Sequence, residues 1–592
     1  MRTMVRRFVL LTTLLALLLG VLGATAPAAL AGQPQHHNDG NGTWVNGINV
    51  DATTIPQLQR LMDQGRLTSV DLVRFYLRRI HKLNPELNAV ITVSPTALQD
   101  ARAADRERRH GHEHDAALSG ALHHGGNDND HGPLIGIPVI VKDNIDTTGM
   151  PTTAGSWALA GSSPRDAFIV KRLKAAGAIV IAKANLSEWA NFRSNPSSSG
   201  WSGIGGQTNM AYVLDRNPCG SSSGSAAGVA ANLCALAIGT ETDGSIVCPS
   251  GANGLVGIKP TLGLLSRTGI VPITADQDTP GPMARNVTDA AVLLGAMTGI
   301  DERDAATADQ AGHARRNYTR FLDKNALAGA RIGVWREGTY DPTISPEIDA
   351  MMNATVATLE AQGAIIVDPA RIPIEPAYGP EFDALLCEFK SDVASYLQAH
   401  TRHRYPKTLQ DLIDFNNAHP ELEGPWNSAL FDAAQATGGR ADPACTAARA
   451  LATSTAKAAI DDLMAANDLD AIIAPTNGTA WVTDPVNGDL GGDFSKFVGS
   501  SSPSAIAGYP DITVPAAFVG PLPVGVSFIG GRWDEPKLIG LAYAFEQATL
   551  VRTPPTFLAT TAFPAVRSPA TSEQRKATVP ARNQHWRMPA LR

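Results

Sequence analysis

Three polar groups in this sequence have the types and spacing for nucleophilic chemistry. Lys142 closes the apolar run Val139-Ile140-Val141; Ser221-Ser222-Ser223 sits between Gly220 and Gly224; and Ser245 ends Thr240-Glu241-Thr242-Asp243-Gly244-Ser245, 24 residues after Ser221. A serine hydroxyl is a weak nucleophile until a base takes its proton. Histidine is the usual base, but none of the 14 histidines lies between His131 and His313. A lysine desolvated among apolar neighbours can lose its proton near neutral pH and fill that role. A tight turn in the stretch Thr240–Ser245 can also converge backbone N–H groups on a developing oxyanion beside the serine. The three groups would meet if each stood at a strand end or loop on one edge of a sheet, where α/β proteins place their sites.

Other motifs fit the same residues less well. Gly220-Ser221-Ser222-Ser223-Gly224 matches G-x-S-x-G formally through Ser222, but Asn217-Pro218-Cys219 before it is turn-like, whereas a nucleophile elbow follows a strand. No Lys-Ser or Lys-Thr follows the glycines, which excludes a phosphate loop. The five cysteines are Cys219, Cys234, Cys248, Cys387 and Cys445. Three fall within 219–248, yet no C-x2-C spacing occurs and no histidine is near, against a metal site. An odd, sparse set is expected to serve as small buried apolar residues and not as a disulfide scaffold.

The surrounding texture supplies the elements that would position these groups. Apolar runs at Ile137–Val141, Ala178–Ala182, Leu236–Gly239, Ile332–Trp335, Ile365–Val367, Ala471–Ala474, Ile512–Val514 and Val524–Ile529 read as strands. Ala167–Gly177 and Ser225–Cys234 suit helices, and Ser345-Pro346 to Gly363 has start and stop signals at its two ends. Alternation of this kind predicts an α/β fold with a large mixed, mainly parallel sheet covered by helices on both faces. Ahead of it, Ile55 to about Asn84 reads as a helical layer with Leu72, Val73, Tyr76, Leu77 and Ile80 on one face and a start signal at Thr68–Asp71. Arg102 to Gly132 carries six histidines, His110, His112, His114, His123, His124 and His131, without apolar periodicity. It is expected to be a solvated surface loop, with an insertion proper at 106–132, in preference to a metal-capturing segment.

The ends differ from the body. Arg2, Arg6 and Arg7, the apolar run Phe8–Gly23 and Ala29-Leu30-Ala31 before Gly32 read as a signal peptide over 1–31, placing the mature protein outside the cytoplasm, secreted or periplasmic; an uncleaved anchor is the alternative. Residues 32–566 would form the catalytic domain and 567–592 a loose tail. With 49 Lys+Arg against 56 Asp+Glu, the net charge of −7 lacks the basic balance a nucleic-acid partner needs.

Four ordered segments, Gly136–Asn144, Gly220–Ala226, Gly239–Ile246 and Gly257–Thr261, resemble the amidase signature family. Asn185–Phe192 and Gln277–Arg285 resemble its bacterial peptide amidase branch, and Leu522-Pro523-Val524-Gly525 resembles the family's C-terminal segment, so that the likeness spans residues 50–560. The resemblance implies the amidase signature fold and hydrolysis of carboxamides, C-terminal peptide amides among them, to carboxylate and ammonia. It implies Ser245 as nucleophile, Ser221 as the intermediate serine after a cis peptide, Lys142 as base, and the N–H groups of Thr242, Asp243, Gly244 and Ser245 as the oxyanion hole. Many relatives carry glycine where this chain has Asp243. The partner implied is a small-molecule or peptide amide; serine–lysine chemistry needs neither metal nor organic cofactor. A broad, aryl or fatty acyl amidase, an inactive extracellular binding protein and a glutamine amidotransferase subunit remain as alternatives.

Overall fold

The computed structural model describes residues 42–118, 132–489 and 498–562. The segment 1–31, the histidines His123, His124 and His131, and the tail 567–592 lie outside the described residues. The described elements belong to the unit that begins at Trp44.

Eleven strands form one sheet: β1 (Val90–Val93), β2 (Pro138–Lys142), β3 (Ile179–Ala184), β4 (Leu236–Glu241), β5 (Val256–Lys259), β6 (Thr279–Ala284), β7 (Arg331–Val334), β8 (Ile365–Val367), β9 (Ala471–Pro475), β10 (Asp511–Val519) and β11 (Leu522–Ile529). Their order is β8-β7-β9-β11-β10-β5-β6-β4-β2-β3-β1. The sheet is mixed, as expected, but parallel pairing is less general than the alternation suggested. It is confined to two blocks, β2 with β3 and β4, and β7 with β8 and β9. The remaining ladders are antiparallel. A parallel neighbour requires a crossover, whereas β10 returns at once into β11 through Gly520-Pro521, with Val519 opposite Leu522.

Strand β6 was not legible. Its sequence, Thr-Pro-Gly-Pro-Met-Ala, carries two residues that cannot donate to a ladder, a composition that argues against a central strand. It nevertheless pairs with β4 on one side and β5 on the other. Gly281 permits this approach, because a Cβ there would stand 2.1 Å from the Ile258 carbonyl oxygen.

The N-terminal layer is two helices, Ile55–Asp63 and Ser69–Leu87, the second capped by Thr68, whose side chain accepts from the Asp71 N–H. Leu72, Val73, Tyr76 and Ile80 are buried, as their spacing predicted. The histidine-rich stretch requires a correction: Ala97–Leu118 is a helix, so His110, His112 and His114 belong to it and not to a loop. Ala97, Ala101 and Ala104, at helical spacing, are buried. Buried Arg108 pairs with Asp63 and donates to Gln59 and, at 3.0 Å, to the Ile135 carbonyl. Small alanines and a paired arginine make a packing face that an apolarity pattern misses.

The cysteine reading also changes. Cys219–Cys248 and Cys387–Cys445 are disulfides, with Cα atoms 6.0 and 6.2 Å apart; only Cys234 is the small buried thiol expected. Sequence separations of 29 and 58 carry no sign that the ends meet. A further layer of helices, Glu375–His400, Leu409–Ala418, Ala429–Gln435 and Pro443–Asn467, was not anticipated. Its aromatic residues Phe389 and Phe431 pack with Trp189 and Phe192 in a second core.

Candidate active site

Strands β2 and β4 run parallel in register, Val139 opposite Leu236 and Val141 opposite Ile238, so their carboxyl ends lie side by side. That register carries Lys142 to Thr240. The lysine Nζ donates to the Thr240 carbonyl at 3.1 Å and contacts Thr240 Oγ1 at 2.9 Å and Ser221 Oγ at 2.8 Å. Asn144, two residues on, donates to the same Thr240 Oγ1 at 2.9 Å.

Ser221 is brought there by the helix Ser223–Ala230, whose small residues are all buried. Its neighbours stitch the loop to β4. Ser222 Oγ donates to the Thr240 carbonyl and accepts from the Thr240 N–H, while Ser225 Oγ donates to the Ile238 carbonyl at 3.0 Å. Ser222, the formal elbow serine, is thus consumed by structure. The Gly220–Ser221 peptide is cis.

Ser245 follows β4 through a tight turn. Gly244 has φ +75, a left-handed conformation that favours glycine, and a Cβ there would stand 3.0 Å from Ser501 Oγ. One Glu241 carboxylate oxygen accepts from the N–H groups of Ile246 and Val247 at 2.7 and 3.0 Å, fixing the chain just after the serine. The Ser222 N–H donates to the Ser245 carbonyl at 3.2 Å, and the Cys219–Cys248 disulfide joins the two loops outside that bond. Lys142, Ser221 and the Ser245 turn are therefore assembled at one place, with Ser245 6% exposed.

The sequence reading missed the residues that hold this turn. Thr242 donates its hydroxyl to Asp278 at 2.6 Å, and its carbonyl accepts from Gln277 at 2.9 Å. Both lie in the segment 277–285 already singled out by resemblance, which was the available signal. The Asp243 carboxylate accepts from the hydroxyls of Ser501 and Ser502, and burial pushes its pKa up.

Burial lowers the Lys142 pKa to about 7, against the opposing pull of the Asp278 and Glu241 charges. Burial raises Asp278 to about 6. A second buried lysine shows what is different about the first. Lys183 pairs with the Asp143 carboxylate at 3.2 Å and donates to the Ile145 and Pro151 carbonyls, so a carboxylate in direct contact opposes the lowering of its pKa by burial. Among the described residues Lys142 has no ion-pair partner, and no group of three or more His, Cys, Asp and Glu is arranged to hold a metal.

The amidase family profile matches residues 71–539. A probable amidase of Arabidopsis thaliana is 40% identical over 524 residues, covering 86% of this chain and 93% of its own length. The solved peptide amidase of Stenotrophomonas maltophilia is similar at 46% identity with a TM-score of 0.78, over 86% of this chain and 99% of that one. One component of the glutamyl-tRNA(Gln) amidotransferase of Symbiobacterium thermophilum is 34% identical over 83% of this chain and 96% of its own length.

Proposed function

This chain belongs to the amidase family and is a hydrolase acting on C–N amide bonds, and from that premise we propose that it releases ammonia from C-terminal peptide amides and simple carboxamides through an acyl-enzyme on Ser245. The observation that carries this reading is the 2.8 Å contact between Lys142 and Ser221, buried beside the Ser245 turn. Neutral Lys142 takes a proton from Ser221 as Ser221 takes one from Ser245. The Ser245 oxygen bonds to the amide carbon, and the carbonyl oxygen becomes an oxyanion facing the N–H groups of 242–245. The proton returns through Ser221 to the nitrogen, the C–N bond breaks and ammonia departs. Water then attacks the acyl carbon by the same path, giving the carboxylate and free Ser245.

Support for a peptidyl acyl group comes from the likeness to a peptide amidase over nearly the whole of that protein. Ammonia is the smallest leaving group, and a chain continuing past the scissile nitrogen would need room on that side. Residues 1–31 are taken as an export signal, and two disulfides agree with an oxidising compartment.

The test incubates an amidated tripeptide, its free-acid form, glutamine and an aryl anilide with enzyme and follows ammonia and fragments by mass. Ammonia from the amidated tripeptide is expected, with the free-acid form and the anilide left intact. Cleavage of the anilide alone, or internal cutting of the free acid, overturns the substrate class.

A further inference from the structure

We propose that Gln277 is a positioning residue that aims the N–H of Asp243 at the reacting oxygen; the inference rests on the serine–lysine reading above. The Thr242 carbonyl and the Asp243 N–H belong to one planar peptide unit and point to opposite sides of it. Whatever holds the carbonyl therefore fixes the direction of the N–H. Gln277 Nε2 donates to that carbonyl at 2.9 Å, and the Thr242 side chain is tied separately to Asp278. A hydrogen bond accepted by the carbonyl also polarises the peptide, making its N–H a stronger donor.

The amide of Gln277, 1% exposed, has its orientation set by its partners. Its nitrogen faces two acceptors, the Thr242 carbonyl and Glu381 Oε1 at 2.6 Å; its oxygen faces a cation, Arg449, at 2.7 Å. The reverse orientation would set its oxygen against two acceptors and its nitrogen against a guanidinium. Arg449 is in turn gripped by Glu388 through two bonds of 2.9 and 2.7 Å, and Glu388 accepts the Thr274 hydroxyl at 2.7 Å. Cys387 and Cys445, which join the helices Glu375–His400 and Pro443–Asn467, stand next to Glu388 and one helical turn before Arg449. The helical layer thus reaches the oxyanion turn through one chain of buried partners ending on Gln277.

Gln277→Glu tests this most sharply. It keeps the shape and the acceptor for Arg449 and removes the donor to Thr242. Removing a donor that touches an oxyanion directly costs roughly 10²–10³ in kcat, so an indirect one should cost about 10–100-fold. We expect kcat on an amidated tripeptide to fall by that factor with KM within about twofold, since the interaction matters only once the oxyanion forms. Fluorophosphonate labelling of Ser245 should slow in parallel. Because a carboxylate beside Glu381 could impair folding, Gln277→Ala is measured as well, each variant checked by its thermal midpoint. Wild-type kcat in a folded variant, or a rise in KM at unchanged kcat, overturns the proposal. The Ser245→Ala variant separates the two levels: activity surviving there sinks the serine mechanism itself, whereas its loss alongside an unaffected Gln277→Glu sinks only the positioning role.

Discussion

Lys142 and Ser221, 79 residues apart in the chain, meet at 2.8 Å in a position where neither is exposed to solvent. Parallel register between β2 and β4 sets one side of that meeting and the serine stitches from loop to β4 set the other. The contrast with Lys183 shows why position decides chemistry. Both lysines are fully buried at strand ends or within strands, but Lys183 faces a carboxylate and Lys142 faces hydroxyls and a carbonyl.

The activity should follow the protonation of Lys142. With its pKa lowered to about 7, kcat/KM on an amidated peptide is expected to rise through that pH and level off above it. Lys142→Ala should lose this limb and fall by roughly 10²–10⁴. The sign for stability runs the same way. Between about 7 and the ordinary 10.5 the unfolded chain holds a proton on this lysine that the folded chain does not, so this group opposes folding increasingly as pH falls through that window. A pH–rate profile without a limb near 7, or one retained in Lys142→Ala, contradicts the assignment.

The Cys219–Cys248 disulfide should matter for both stability and rate, because it joins the chain two residues before Ser221 to the chain three after Ser245. By loop entropy, closing 29 residues contributes roughly 3–4 kcal/mol. The double variant Cys219→Ala, Cys248→Ala is expected to melt several degrees lower and to lose kcat more than it gains in KM. Equal thermal midpoints for the double variant and the wild type would show that the bond adds nothing.

Most of the sheet and the placement of Lys142, Ser221 and the Ser245 turn at one sheet edge were legible because their signals are local: apolar runs for β2 and β4, glycine-rich turns for the serine loops. What escaped was what depends on pairing at a distance. Thr240, Gln277 and Asp278 act on Lys142 or Thr242 across the sheet, and no spacing in sequence announces that. Strand β6 is hidden by its prolines, and the helix Ala97–Leu118 by a face made of alanines and Arg108. The disulfides went unseen because cysteine separation says nothing about Cα proximity.

Arg108 should prove structural although it sits beside the histidine-rich stretch. It is 5% exposed and its two terminal nitrogens are held by Asp63, Gln59 and the Ile135 carbonyl, so Arg108→Ala would strand those partners. Breaking a buried pair from one side costs about 3–5 kcal/mol; exposure of Asp63 places this one toward the lower end. Chemical denaturation is expected to show that loss, with kcat of the folded fraction unchanged. A stability equal to wild type would mean that the helix is not anchored through Arg108.

Asp278→Asn offers the most specific test of the electrostatics, because it can remove a charge while leaving the hydrogen bonds in place. In the wild type one carboxylate oxygen accepts from the N–H groups of Ile273 and Thr274, at 2.8 and 3.1 Å, and the other from the Thr242 hydroxyl. An asparagine can keep its oxygen toward the two N–H groups and turn its amide nitrogen to Thr242, whose hydroxyl accepts as readily as it donates. The change is then mainly one of charge. Asp278, raised to about 6, carries most of its negative charge at the midpoint near 7 where Lys142 titrates, and that charge favours the protonated lysine. Without that charge the lysine should lose its proton more easily, and the acid limb of kcat/KM should move to lower pH with the plateau little changed. Paired pH–rate profiles of the variant and the wild type on the same amidated peptide read this directly. A limb that stays put, or moves to higher pH, would show that Asp278 does not set the charge state of Lys142 and acts on the turn through Thr242 alone.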